Sequence, residues 1–446
     1  MIALSSRLIA ISDRQQLKGL NKLVSSFPAK KRMRFVDTHG IQHYFPFSAF
    51  ISNHNMTLPD LAATFPGVSQ RQLPAKTSWP YYSMILEAKG TRRDDPFEKD
   101  GLCHCKTLVQ LAINARCLLH AHGLLATFVV GIYGDIVRIA RFDHSCAVVS
   151  GRLFLKNPAD LALLRQFFWC FVNPITPGPF VGWDPTVRRL TDQDEIWLKG
   201  RLKAIGEQVD GKLIKEARRV ELPEETLVEG GEPPAYILYK VLDVNGRLFS
   251  RATTVWLGVR DTRRRFNGQI VDRPELDDLK PRVVKESWRQ LVRRSERDLY
   301  ARLRAIPRHL RVGLPDLMCG GDLGEEEVQR WESAHRQTLA THATTAAKHR
   351  WRLSPSNRKV GSEPGPTSSP ASNTMPPHRP MQQTFSWRLV GGGRYWYRER
   401  SHMRFVTDTV GRPLNCFRCT KELVTAVRDA ILGEWLMIFL APCNES

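Results

Sequence analysis

The stretch VVKESWRQLVRRSERDLYARL, Val283 to Leu303, decides how this chain is read. A short apolar run ends in Lys285, and Glu296 follows 11 positions later. A helix from Ser287 to Arg304, turning about 100° per residue, gathers Trp288, Leu291, Val292, Leu299 and Leu303 into one apolar stripe. Glu296 falls at the edge of that stripe, and Arg289, Arg293, Arg294 and Arg297 lie mostly elsewhere. Two readings fit this spacing. The segment is a basic surface helix with solvated charges. Alternatively, a strand-end lysine and a helix glutamate meet over a phosphate, the carboxylate fixing an ammonium that otherwise swings on a four-carbon stem.

The surrounding composition bounds both readings. At 446 residues the chain has room for two or three domains. Lys and Arg number 66 against 45 Asp and Glu, a net charge of +21, which favours anionic partners. The excess is scattered through RRMR, RRR and KHRWR rather than gathered in a tail, so most of it reads as solvated surface, and nucleic acid stays open as a partner. No apolar run at the N-terminus is long enough for a signal peptide. The most apolar helical stretch, LALLRQFFWCFV at 161–172, is interrupted by Arg165 and Gln166 and falls short of the ~20 residues that cross a bilayer. The expectation is a reduced, soluble, intracellular protein of cytoplasm or nucleus with no membrane partner. Cys103-x-Cys105 and Cys416-x-x-Cys419 lack the second pair that a structural zinc site needs, so buried thiols are expected there.

Along the chain, residues 1–75 are weakly patterned, with a first helix in SDRQQLKGLNKLVSSF. From 76 to 190 the pattern is that of an α+β domain. YYSMILEAK reads as a strand, KTLVQLAINARCLLHAH as a helix with Leu108, Leu111, Ala112, Ala115, Leu118 and Leu119 on one face, and 125–150 as a three-stranded meander. A second apolar helix at 159–172 closes it, and 191–234 is a charged connector. Two strands flank Asn245-Gly246 at the start of a segment running from 235 to 446. The Pro-, Ser- and Thr-rich insertion at 354–384 is too polar to pack and is expected to be disordered. Order resumes at 394–410, and Thr420 caps a helix over 421–435 with Leu423, Val424, Val427 and Ile431 on one face.

Several of these segments, in order, resemble motifs of the fungal-type protein kinases. WPYYSMILEAKG resembles the family's tryptophan-to-E-x-K strand, IVRIARFDHSCAVVS its R-x-x-R-x-D-R-x-G segment, and FVGWDPTV its G-x-D-P-T-V segment. LFSRATTVW resembles its phosphate-covering loop, and VVKESWR with SERDLYARL its lysine strand and glutamate helix. VGLPDLMCGGD resembles the approach to the back of the cleft, and HMRFVTDTVGRPLNCFRCTKELVTAVRDAILG the hinge and the helix after it. The resemblance spans about 79 to 433. It implies an α+β fold: an N-terminal α+β domain, then a protein-kinase-like small lobe and the start of a large lobe, the disordered insertion lying before the hinge strand. It also implies ATP and Mg²⁺ as cofactors and a protein Ser/Thr substrate. Lys285 and Glu296 would grip the phosphates, as the lysine and glutamate of protein kinases do. Ser250, Arg251, Ala252 and Thr253 would cover them, and the stretch from Val410 and Gly411 to Leu414 would be the adenine hinge.

Two departures change what the resemblance implies. The family's covering loop resembles G-R-G-T, whereas this one reads Ser250-Arg251-Ala252-Thr253, small residues replacing both glycines. The chain also has no His-Arg-Asp, and LMIFLAPCNES ends it soon after helix 421–435, where the catalytic and metal-binding loops would follow. Asp322-Leu323-Gly324 lies upstream of the hinge and reads as an acidic turn. As written, the sequence is expected to lack phosphoryl transfer and to have no catalytic residue, as a truncated kinase or a nucleotide-binding or scaffolding pseudokinase. A third reading concerns the N-terminal part. Pro59-Asp60 followed by Glu87-Ala88-Lys89 fits the loose nuclease pattern PD…(D/E)xK, in which two carboxylates hold Mg²⁺ and the lysine steadies the scissile phosphate.

Overall fold

A computed structural model describes residues 16–50, 52, 55–69, 73, 78–98, 105–208, 211–222, 234–266, 269–272, 280–311, 314–324, 333, 399–411 and 416–440. The expected disordered insertion at 354–384 lies outside them. The chain divides into two compact units, Met1–Leu323 with Gln382–Ser446, and Gly324–Met381. Nearly all of the second is outside the described residues, and the elements that follow belong to the first.

The fold is α+β. After a helix over 16–23 (α1) come β1 (Phe35–Asp37), β2 (His43–Tyr44), β3 (Met56–Thr57), β4 (Leu61–Thr64) and β5 (Tyr82–Lys89). Helix α2 (Cys105–His122) crosses to β6 (Thr127–Tyr133), followed by β7 (Ile136–Phe142), β8 (Ala147–Val149), β9 (Leu153–Phe154) and α3 (Pro158–Phe171). Among the described residues the first sheet has seven strands in the order β1-β4-β5-β6-β7-β8, with β9 also on β7. β5 and β6 are parallel, which is why a whole helix separates them, since parallel neighbours need a crossover. β5 is buried from Tyr82 to Ala88, the near-continuous run of a central strand. Leu111, Ala115, Leu118 and Leu119 of α2 pack on the sheet as the spacing predicts, whereas Leu108, near the helix start, is 40% exposed. In α3 the apolar run is only half used. Leu164, Phe168 and Phe171 are buried, and Arg165 reaches the hydroxyl of Ser26.

The second sheet takes β10 (Val187–Arg189), then, past α4 (Asp192–Ala204) and α5 (Gly211–Glu216), β11 (Arg218–Glu221). It continues with β12 (Ala235–Val244), β13 (Thr254–Arg260), the small hairpin β14 (Arg263–Phe266) and β15 (Gln269–Asp272), and β16 (Arg282–Gln290). Helix α6 (Glu296–Arg304), β17 (Leu317–Asp322), β18 (Arg400–Thr407) and α7 (Thr420–Leu440) complete it. The order is β10-β11-β12-β13-β16-β18-β17, so β18 inserts between β16 and β17. One hydrophobic core runs through both sheets: Phe47 and Leu61 of the N-terminal part share it with Trp256, Val284 and Val406.

The helix expected from Ser287 to Arg304 is corrected. β16 runs to Gln290, and α6 begins only at Glu296. Pairing decides this. β16 is laddered on both edges, to β13 and β18, and period two buries Val284, Glu286 and Trp288 on one face. Two ladders outweigh the modest helical preference of the residues between Ser287 and Gln290. Asp322 is likewise not a solvated acidic turn. It ends β17 buried and paired with the guanidinium of Arg289 at 2.8 Å. The last helix starts at Thr420 and extends to Leu440, and its stripe Val424, Val427 and Ile431 is exposed. Cys416 and Cys419, expected as buried thiols, are exposed, because the described chain there lies at the surface before α7. Cys103 lies outside the described residues, and of the side chain of Cys105 nothing is described.

Candidate functional site

On its second face β16 presents Lys285 toward α6. Ser295 caps that helix, its hydroxyl accepting from the amide of Arg297 at 3.2 Å, and Glu296 and Asp298 occupy the first turn, where negative charge meets the positive helix end. The cap therefore fixes where Glu296 stands. Lys285 Nζ donates to Glu296 Oε2 at 2.7 Å, while Arg251 from the β12–β13 loop donates to Oε1. A part-exposed ion pair contributes at most ~1 kcal/mol, so folding alone gives little reason for three charged heads to converge. They wall a cleft of about 510 Å³, which Arg293 and Arg294 also line. Its rim carries more positive than negative charge, with Leu299, Leu303 and Met403 behind it.

The loop 245–253 is closed by its own bonds. The Ser250 hydroxyl donates to the Arg247 carbonyl at 2.7 Å and accepts from the Ala252 amide at 2.9 Å. The amide of Trp288 donates to the Arg251 carbonyl at 2.7 Å, pinning the loop to β16. Ala252 has φ +42°, the left-handed region that a side chain disfavours. The backbone thus keeps the shape that glycine would suit, although alanine occupies the position. Thr253 leads into β13, its carbonyl accepting from the amide of Asn245 at 2.7 Å. Val410 and Gly411 are exposed just past the end of β18, and 412–415 lie outside the described residues.

Two of the quoted motifs turn out to meet at the joint between the sheets, which spacing could not show. Asp143 accepts from the amides of Ser145 and Cys146 and from Arg141, shaping the turn that carries His144. The ring of His144 lies 4.9 Å from that of Trp288, which also stacks on His402 at 4.8 Å. His144 Nδ1 is 3.3 Å from the carbonyl of Leu248, in the covering loop. Asp184 faces His402 at 3.4 Å and Arg404 at 3.7 Å, and Arg404, fully buried, pairs with Glu286 at 2.7 Å. Burial pushes the Glu286 carboxyl up, but the charges of Arg404 and Arg218 outweigh it and hold the pKa below the usual range. Burial lowers the pKa of His144 to about 4 and those of His120 and His122 well below their ordinary value.

A second cluster lies on the first sheet. Asp60 immediately precedes β4 rather than sitting within it, and antiparallel pairing brings it to the end of β5. Its Oδ2 accepts from the Ala88 amide at 2.8 Å and from Lys89 Nζ at 3.2 Å, and Lys89 also donates to Glu87 Oε1 at 2.6 Å. Asn114 of α2 donates to Glu87 Oε2 at 3.2 Å and is itself held by Thr57 at 2.8 Å. Burial, and then the neighbouring Asp60, push the Glu87 carboxyl up to about 9. Burial works against the charge of Lys89, but Glu87 and Asp60 prevail and raise its pKa. Among the described residues no three or more His, Cys, Asp and Glu side chains group closely enough to hold a metal ion by themselves. No described helix is long and apolar enough to cross a membrane.

The sequence pattern of the fungal protein kinases matches residues 104–437, most of the chain, and the chain belongs to that family. No curated protein and no solved structure matches it.

Proposed function

We propose that the second sheet with α6 is a nucleotide-binding kinase-type small lobe, in which Lys285 holds the α- and β-phosphates of ATP and Glu296 holds Lys285. The observation that carries this is the 2.7 Å pair between a lysine on a strand beside the covering loop and a glutamate at the start of the next helix. Protein kinases use that same pair to bind phosphates. Arg251 would share the load, since its guanidinium lies on the other oxygen of Glu296 and is 45% exposed toward the cleft. Val410 and Gly411 would form the adenine side. The donor set suits phosphates. It offers no grouped carboxylates for Mg²⁺ among the described residues, so Mg²⁺ would ride on the nucleotide's own oxygens. These 446 residues contain no His-Arg-Asp, and the function proposed for them is binding of nucleotide rather than its transfer. A bound protein partner would read the nucleotide state of the lobe.

ATP with Mg²⁺ should raise the melting temperature of the full chain, by about 3 kcal/mol equivalent at a hundred times Kd. Lys285→Met should remove most of that rise while melting normally without nucleotide. No rise in either protein would leave only the scaffold reading, and equal rises in the two would show that nucleotide binds without Lys285.

A further inference from the structure

The cluster on the first sheet lies apart from the nucleotide cleft. Asp60, Glu87 and Lys89 precede residue 104 and lie outside the residues that the family pattern matches. We propose that Asp60 and Glu87 hold a divalent cation against a nucleic-acid phosphodiester, that Lys89 binds the phosphate, and that the site hydrolyses the bond.

Placement is the first reason. Asp60 and Glu87 are 27 residues apart in sequence, yet their carboxylates are both within hydrogen-bond reach of one ammonium. Two carboxyl groups converge on that single ammonium, which places oxygen donors from two separate stretches of chain at one point. Glu87 is fully buried, whereas the side chains of Asp60 and Lys89 are 13% and 27% exposed, so the cluster opens to solvent on the Asp60–Lys89 side. The orientation of Glu87 is fixed from behind by Asn114 and Thr57, as outer-shell partners fix metal ligands.

The second reason is an orphaned hydroxyl. In the parallel register Glu87 pairs with Gly131 and Lys89 with Tyr133, so all four point to one face. The Tyr133 ring folds back over Gly131, and a Cβ on that glycine would lie 2.3 Å from the Tyr133 hydroxyl. That hydroxyl is fully buried and has no hydrogen-bond partner. A buried hydroxyl left so is unfavourable, and a water held by a cation at Glu87 would satisfy it. No three-carboxylate cage is needed, because Mg²⁺ is commonly held by one or two carboxylates, waters and the substrate's own phosphate. The net charge of +21 draws such a polyanion to the surface.

In the step itself a cation-bound water attacks phosphorus. The new P–O bond forms as the P–O3′ bond breaks, its electron pair leaving on O3′. The attacking water loses one proton to solvent, and O3′ takes one from another water. The products are a 5′-phosphate and a 3′-hydroxyl, and the sum is one water added to one phosphodiester. Lys89 offsets the charge that builds on the phosphate oxygens.

The full chain should be incubated with Mg²⁺ or Mn²⁺ and, separately, supercoiled plasmid DNA and a single-stranded RNA, with Mn²⁺ binding measured by calorimetry. The wild type should bind Mn²⁺ and cleave at least one of the two nucleic acids, which identifies the source of the phosphodiester. EDTA should stop cleavage. Glu87→Gln, which keeps the shape and the Asn114 contact, should bind Mn²⁺ at least 10-fold more weakly and cleave at least 100-fold more slowly. Asp60→Asn serves as the second variant, and circular dichroism checks that both are folded. Cleavage of neither nucleic acid by the wild type, cleavage equal in wild type and folded variants, or Mn²⁺ binding unchanged by both substitutions would overturn the proposal.

Discussion

Ala252, at φ +42°, is the one non-glycine residue with positive φ among those described. An L side chain pays ~1–2 kcal/mol for that conformation, and glycine gives back part of the gain through its freer unfolded chain. Ala252→Gly should therefore stabilise the protein by roughly 1 kcal/mol, visible as a higher urea midpoint at unchanged m-value. A stability that falls would mean that the methyl group, 5% exposed, matters more to packing than the backbone does. Arg289 poses the opposite problem. It is 3% exposed and paired with Asp322, so Asp322→Ala breaks a buried ion pair and should destabilise by ~3–5 kcal/mol, measured by chemical unfolding.

The element that matters most is α6, nine residues long and held by one cap. So short a helix has little stability of its own, and the Ser295 hydroxyl determines whether its first turn, and with it Glu296, is ordered. Ser295→Ala should lower stability by ~1 kcal/mol and weaken ATP binding as well, although Ser295 is not proposed to touch nucleotide. A loss of stability with unchanged affinity would show that Glu296 is positioned by Lys285 and Arg251 alone. The exposed stripe Val424, Val427 and Ile431 on α7 shows the same dependence on neighbours, since a correct helical period did not bury it.

Across the whole molecule, the joint between the sheets is built from buried imidazoles. His144 faces His120 and Trp288 through their rings, with Asp143, His402 and Arg400 as the titratable or charged groups nearby. Burial holds its pKa at about 4, whereas the unfolded chain returns it to about 6.5. Between those values the unfolded chain binds a proton that the folded one refuses. Stability is therefore full above pH 6.5 and falls as pH drops toward 4, by about 3 kcal/mol for His144, with His120 and His122 adding in the same direction. Urea unfolding at pH 7.5 and 5 checks this, and His144→Gln should flatten the slope. Because Leu248 of the covering loop contacts His144, the same acid titration should weaken nucleotide binding.

The sequence by itself determined the family, the α+β class and the main strands and helices of the first sheet, while its spacing left the meeting of Lys285 with Glu296 as one of two readings. These rest on local pattern and ordered motifs, which survive without coordinates. Only the tertiary structure decided where β16 ends, because a strand laddered on both edges ignores the helical period of its residues. It alone showed Asp184 and Thr186 meeting His402 and Arg404, contacts across some 218 residues that no spacing encodes. It also drew Asp60 to Glu87 and Lys89, since antiparallel pairing of β4 with β5 turns a loose sequence pattern into three heads within hydrogen-bond reach.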